Sequence, residues 1–206
     1  MPVHAVIFDI GNVLIEWQPE RFYDLEIGVA RRRALFAQVD LHAMNELIDC
    51  GAPFQKTVHA TADAYPEWRR EIRMWHEDWI RMASPVIPHS VRLLRQLRVK
   101  GVPVYALSNF GTETFEVATG FYEFLTEFDL SFVSGHMAMT KPDPAIYAAV
   151  EESCGHAPEM LLFADDRADN IAAADVRGWQ THLFDGPVPW AARLVAEGLL
   201  TPQEAA

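Results

Sequence analysis

The chain has little of what marks several large classes of protein. Its 206 residues include two cysteines, Cys50 and Cys154, far apart and in no metal-ligand spacing. This argues against a disulfide scaffold or a cysteine-built metal site, and predicts two free thiols in a reducing compartment. The eight histidines show no ligand spacing either, so no zinc or iron site is expected. No apolar run is long enough to cross a bilayer. The opening stretch, Met1 to Asp9, is too short and too soon acidic to read as a secretion signal. The expected location is cytoplasmic. Repeats, low-complexity tracts and flexible linkers are all missing. Cations are in short supply as well: 17 lysines and arginines face 29 acids, for a formal net charge of -12. Such a polyanion repels nucleic acid and anionic lipid, and neither is an expected partner.

What is present is the balance of a globular protein, 50% hydrophobic and 22% charged, long enough for one core with a small satellite. Only Thr201 to Ala206 are expected to be loosely held. Val3 to Ile10 is apolar and β-branched without alternation, which predicts a strand buried on both faces. From about Pro19 to Ala83 the pattern is helical throughout. Its clearest piece runs from Pro66 to Ile80, where Trp68, Ile72, Trp75 and Trp79 recur at three- and four-residue steps as one apolar stripe. That stripe predicts helix packing. Arg31-Arg32-Arg33 reads as a solvated helix face, and His136 as a solvated loop residue.

Beyond this segment the pattern alternates. Helices are predicted at His89–Val99, Thr112–Thr119, Asp143–Glu152 and Ala168–Val176. Strands are predicted at Val102–Leu107, Leu130–Ser134, Met160–Ala164 and Gln180–Phe184. Gly101 and Gly178 stand where the helices before them should stop. Alternation of this kind implies an α/β fold: a Rossmann-like parallel sheet with a small helical cap inserted after the first strand. The expected core is residues 1–16 and 86–206, and the expected cap is residues 17–85.

Ligands of such sheets bind beyond the carboxyl ends of the strands. The first strand ends in Phe8-Asp9-Ile10-Gly11-Asn12, the second in Leu107-Ser108-Asn109, and the fourth in Ala164-Asp165-Asp166. Thr140-Lys141-Pro142 follows the third. Parallel pairing brings these ends to one edge, with three carboxylates, an ammonium, a hydroxyl and an amide. Three acids converging in a cleft need neutralising, and hard oxygen ligands around an open position suit Mg²⁺.

These segments, in this order, resemble the four motifs of the haloacid dehalogenase superfamily. The run from Val133 to Pro144 also resembles the family's lead into its lysine. The nearest likenesses are sugar-phosphate phosphatases of the α-glucose-1-phosphate phosphatase kind and the phosphatase domain of soluble epoxide hydrolases. The resemblance implies a Mg²⁺-dependent phosphomonoester hydrolase acting on a small phosphorylated metabolite, as a monomer or homodimer. Asp9 attacks phosphorus, while Ser108 and the amide of Asn109 hold a phosphoryl oxygen. Lys141 bridges nucleophile and phosphate. Asp9, the carbonyl of Gly11 and Asp166 bind the metal, and Asp165 and Asn170 orient that shell. Family phosphatases usually carry an acid–base aspartate at the position of Gly11, and its loss leaves the general acid to be found. Trp17, Met44, Asn45 and Trp79 are the candidate cap residues facing substrate. Two other readings compete. Metal-independent 2-haloacid dehalogenases use the same nucleophile but carry small neutral residues at the positions of Asp165 and Asp166. A non-catalytic phospho-ligand binder would also tolerate Gly11.

Overall fold

The computed structural model describes residues 2–206; Met1, which the sequence places in the core segment, lies outside them. Five strands form the main sheet: β1 (Ala5–Phe8), β4 (Val104–Ser108), β5 (Leu130–Val133), β6 (Leu161–Asp165) and β7 (Gln180–Leu183). All pairings are parallel, in the order β5-β4-β1-β6-β7, so β1 is central. This is the α/β fold the alternation predicts. Strand positions agree within one or two residues, and Val3 and Ile10 lie just outside β1.

Although β1 is apolar at every position, its side chains still divide by parity. Val6 and Phe8 face one layer with Val104, Ala106, Leu162, Leu94 and Trp190. Ala5 and Ile7 face the other with Leu107, Phe163, Tyr147 and Trp179. Helices cover both faces, which is why no polar residue interrupts the strand. The first layer includes α7 (Pro88–Val99) and α12 (Pro187–Ala196), and the second includes α10 (Pro144–Cys154) and α11 (Ala168–Val176). Local signals set their ends. Pro88 and Pro144 open α7 and α10, the Asp143 side chain accepts from the Ala145 amide at 2.8 Å, and Gly101 (φ 75°) and Gly155 (φ 67°) close them. Two further helices, α8 (Thr112–Phe121) and the one-turn α9 (Ser134–Met137), follow β4 and β5.

The cap consists of α1 (Pro19–Ile27), α2 (Val29–Gln38), α3 (Leu41–Asp49), α4 (Phe54–Ala64), α5 (Arg69–Glu77) and α6 (Trp79–Met82). Its two connections to the core pair as an antiparallel ribbon, β2 (Ile15–Trp17) with β3 (Ala83–Val86). The sequence pattern gave no sign of this ribbon, because each strand is too short for a period and β3 contains Pro85. The expected helix over Pro66–Ile80 is also divided. A 3₁₀ turn at Pro66–Trp68 precedes α5, and Asp78 leaves the helical region (φ -115°, ψ 16°) before α6. The break turns Trp79 toward Phe110 of the core (5.4 Å between rings) and Trp17 (5.8 Å), while Trp75 packs inside the cap near Tyr23. Trp68, Ile72, Trp75 and Trp79 are all buried, as a packing stripe requires.

Two local expectations are corrected. Arg31 is not merely solvated: it ion-pairs with buried Glu71 at 2.6 Å and stacks on Trp68, fastening α2 to α5. Thr201 to Ala206 are pinned to α7. The Ala205 carbonyl meets His89 Nε2 at 2.8 Å, Arg92 donates to the Ala206 carbonyl at 2.6 Å, and Ala205 is buried.

Candidate active site

A cleft of about 670 Å³ opens between the carboxyl edge of the sheet and the cap. Asp9, Gly11, Ser108, Asn109, Lys141, Asp166 and Asn170 all line it. Asp165 lies beneath its floor, 0% exposed. The sheet order explains the convergence, since β1 is flanked directly by β4 and β6.

Asp9 is the hub. Its Oδ1 accepts hydrogen bonds from the Ile10 amide at 2.7 Å and Ser108 Oγ at 2.6 Å, and lies 3.0 Å from Lys141 Nζ. Its Oδ2 accepts none among the described residues. Lys141 also donates to Asp165 Oδ2 at 2.6 Å and to the Leu107 carbonyl at 2.8 Å. All three ammonium protons are thereby used, and the side chain is fixed. Asp165 is further held by Asn170 Nδ2 at 3.0 Å to both oxygens and by the Arg167 amide at 2.8 Å. A buried carboxylate with this many donors is fully satisfied. Asn109 meets the backbone of Lys141 twice, donating to its carbonyl at 2.9 Å and accepting from its amide at 2.8 Å. Its side chain therefore fastens the Lys141 segment to the end of β4.

The electrostatics follow from burial. Burial pushes the Asp9 carboxyl up to about 7, against the pull of Lys141 and with the push of Asp165. Burial alone would lower the Lys141 ammonium, but Asp9 and Asp165 outweigh it and the balance is upward. Asp166 is also raised, chiefly by burial, with Asn12 opposing. One carboxylate oxygen each from Asp9, Asp165 and Asp166 lies within 4.8 Å of the other two, with one ammonium to offset them. Such a cluster is short of positive charge, and its donors are all hard oxygens. Because Asp165 is already saturated by Lys141, Asn170 and Arg167, the oxygens left for a cation are those of Asp9 and Asp166. The donor set fits Mg²⁺.

Two residues escaped the sequence reading. Asn12 has left-handed backbone (φ 55°); its Nδ2 donates to Asp166 Oδ2 at 2.9 Å and its Oδ1 accepts from the Trp17 amide at 2.9 Å. It thus ties the nucleophile loop, the ribbon and the second acid together. Asparagine after glycine was the available signal, since asparagine tolerates this backbone region. Asp49, at the end of α3, is the other. It lines the cleft from the cap side and accepts from Asn45 Nδ2 at 2.9 Å. Of the four candidate cap residues, Trp17, Asn45 and Trp79 line the cleft. Met44 does not: it is buried in the apolar layer of the cap. His136 is exposed on α9, edge-on to Phe115.

A family profile described as haloacid dehalogenase-like hydrolase matches residues 3–176. The chain belongs to that family. Among characterised relatives, it is 35% identical over 193 residues to the drimenol cyclase DrtB of Aspergillus calidoustus, a match covering 88% of this chain and 34% of that protein. The chain thus spans about a third of the cyclase's length. It is 26% identical over 190 residues to the sesquiterpene phosphatase AstK of Aspergillus oryzae, covering 88% of this chain and 90% of that one. Among solved structures, an enzyme of the same family from Bacteroides thetaiotaomicron superposes with a TM-score of 0.66 at 21% identity, covering 94% of this chain and 99% of that one. That enzyme has also been solved with magnesium and inorganic phosphate. At this identity the likeness speaks for the fold alone.

Proposed function

We propose that this hydrolase is a Mg²⁺-dependent phosphatase that cleaves a small phosphomonoester through an aspartyl-phosphate on Asp9. The observation that carries the reading is the buried Asp9–Lys141–Asp165 chain with Asp166 beside it, a cluster short of positive charge at the floor of the cleft. A phosphate dianion approaching a carboxylate is repelled unless cations stand on both. Asp9, the Gly11 carbonyl and Asp166 would hold Mg²⁺, which supplies Lewis-acid screening of that repulsion. Lys141, fixed by its bond to Asp165, would bridge nucleophile and phosphoryl group as an incoming phosphoryl oxygen takes over one of its three engaged protons. Ser108 and the Asn109 amide bind a phosphoryl oxygen. Asp9 displaces the alcohol in line, and water then releases phosphate. Asp165 and Asn170 hold Lys141 and the carboxylates in register. Residues 17–85 act as the cap over a core of 1–16 and 86–206, excluding water when closed.

Dehalogenation fits less well, since a halide leaves without a metal and a second strand-end acid would repel a carboxylate substrate. A purely binding role does not require the nucleophile, its lysine and the acid pair to be assembled together.

The alcohol half of the substrate meets two kinds of wall. Asn45 and Asp49 suit sugar hydroxyls, while Trp17, Trp79 and Phe110 suit hydrocarbon. The sesquiterpene phosphatase among the fungal relatives adds terpenyl phosphates to the sugar phosphates as a substrate class. Phosphate release should be screened over sugar, nucleotide, acyl and prenyl phosphates, with and without Mg²⁺. Asp9→Asn is expected to abolish turnover with an unchanged circular dichroism spectrum. Undiminished turnover would refute the assignment, and chloride release from 2-chloropropionate in EDTA would replace it with dehalogenation.

A further inference from the structure

Given the phosphatase reading, an alcohol cannot leave as a bare alkoxide without a proton donor, and the core edge offers none. Asp9 is the nucleophile, Lys141 has all its protons engaged, and position 11 is glycine. Packing does not require that glycine. A Cβ on Gly11 would meet nothing within 4 Å, so a side chain there would enter the open cleft. The donor must therefore come from elsewhere on the wall.

We propose that Asp49, carried on the cap, is the general acid and base of the reaction. Three observations place it. It lines the same cleft as Asp9. Asn45 Nδ2 holds its Oδ2 at 2.9 Å, and Asn45 Oδ1 in turn accepts from Trp75 Nε1 at 3.1 Å, so the pair is anchored in the cap core. Its backbone is latched to the sheet domain: Ser134 Oγ donates to the Asp49 carbonyl at 2.6 Å and accepts from the Phe110 amide at 2.8 Å. Glycines make that approach possible. A Cβ on Gly111 would lie 2.6 Å from Ile48 Cγ2, and one on Gly51 would lie 2.9 Å from the Gly135 carbonyl oxygen. The end of α3 is thus held against the loops after β4 and β5, and its carboxyl is fixed by Asn45 on the wall of the cleft that Asp9 also lines.

Other ionisable groups on the wall are spoken for. Glu16 pairs with Arg21 at 2.6 Å, and His42 leans outward to Glu20 at 3.1 Å. Glu46, one turn before Asp49, is exposed. Among the described residues no cation forms an ion pair with Asp49, and the two cations that share its cleft, Lys141 and Arg167, pair with Asp165 and Asp169. Burial pushes its carboxyl up to about 7, helped by the negative charges of Glu46 and Asp9 and opposed by the Gly111 amide and Asn45. A group so placed exchanges a proton near neutral pH.

The protons balance over one cycle. As Asp9 attacks and the phosphorus–oxygen bond to the alcohol breaks, protonated Asp49 gives its proton to the leaving oxygen and becomes a carboxylate. That carboxylate then takes a proton from the water that attacks phosphorus, the Asp9–phosphorus linkage breaks, and Asp49 is again protonated.

The test separates this role from a structural one by leaving group. Asp49→Asn is nearly isosteric and keeps the backbone latch. Its alcohol-release step is measured by rapid mixing with an alkyl phosphate and with p-nitrophenyl phosphate, whose leaving group needs no proton. The alkyl rate should fall about 10²–10³-fold while the nitrophenyl burst stays within about threefold, followed by accumulation of phosphorylated Asp9. Gly11→Asp in the Asp49→Asn background should restore at least about tenfold on the alkyl ester, since it places a carboxyl on the open side of the nucleophile. Equal losses on both substrates, or an alkyl loss under about threefold, would overturn the role of Asp49. A wild-type chain that forms no Asp9 adduct with beryllofluoride would overturn the phosphatase reading beneath it.

Discussion

Removing the Lys141 ammonium without removing its volume should be the most destabilising polar change in the molecule. In Lys141→Met the aliphatic stem is kept, so cavity formation contributes little. What is lost is the partner of two buried acids. The Lys141 side chain is 1% exposed, and Asp9 and Asp165 are 9% and 0% exposed. Asp165 keeps Asn170 and the Arg167 amide, but these are dipoles and do not offset a full charge. Breaking a buried ion pair from one side typically costs about 3–5 kcal/mol, because the remaining charge is stranded. For a chain of this length about 1 kcal/mol moves Tm by roughly 2–4 °C, so Tm should fall by about 6–20 °C. Urea and thermal unfolding followed by circular dichroism at pH 7.5 would measure it. A double variant, Lys141→Met with Asp165→Asn, removes the stranded charge and should recover more than about half of the loss, because replacing both partners is milder than removing one. A single-variant loss below about 1 kcal/mol, or no recovery in the double variant, would show that the acids are not charged partners of the lysine.

The cation site should announce itself in stability before any substrate is known. Mg²⁺ at about 100 times its Kd should stabilise the protein by about 2.7 kcal/mol, and Asp166→Asn should abolish most of that shift in a Tm titration; an unchanged titration would take Asp166 out of the site. Asn12→Ala removes the donor to Asp166 and the acceptor for the Trp17 amide and leaves a left-handed alanine, while Asn12→Gly removes the same two bonds without that backbone strain. Both should weaken Mg²⁺ binding by about tenfold or more, with alanine about 1 kcal/mol less stable than glycine; equal Mg²⁺ affinity in both variants and wild type would deny Asn12 its positioning role. Asp49 makes a pH prediction. Its folded carboxyl is raised to about 7, so it binds its proton more tightly in the folded state than in the unfolded. The stability this confers is present below the unfolded value near 4 and is lost as pH rises toward 7. Asp49→Asn should therefore match wild type near pH 4 and exceed it by about 1–2 kcal/mol at pH 8, allowing for its partial exposure. A stability gap that does not widen with pH would contradict the environment described for it.

The parts of the site legible in the sequence share one property: each sits at the end of a buried strand. An apolar run followed by Asp9, by Ser108-Asn109 or by Asp165-Asp166 needs no distant contact to be recognised, because parallel pairing alone carries the ends to one rim. Lys141 is one step removed, following a short helix rather than a strand, yet its chain position after β5 still places it there. The fold was legible for the same reason. Strand and helix periods differ sharply, and helix ends such as Gly101 and Asp143 are local chemistry.

What escaped notice depends on tertiary direction. Asp49 and Met44 lie on the same cap helix, five residues apart, and both precede the same turn; one faces the cleft and the other the cap core. The helical period does set Met44 with Leu41 and Ile48 on the apolar face of α3 and Asp49 off it, but what the other face meets is decided by the Ser134 latch and the glycine contacts with the core loops. The ribbon of β2 and β3 is likewise set by distant pairing, Ile15 with Val86 and Trp17 with Ala83 across the whole cap, not by any strand-like run. The same contrast bears on catalysis. The core edge presents Asp9, Ser108, Lys141 and Asp166, and the proton donor proposed for the reaction is carried by the cap. In that arrangement protonation of the leaving group depends on the cap as well as the core, because the Ser134 latch to the end of α3 sets where the Asp49 carboxyl stands.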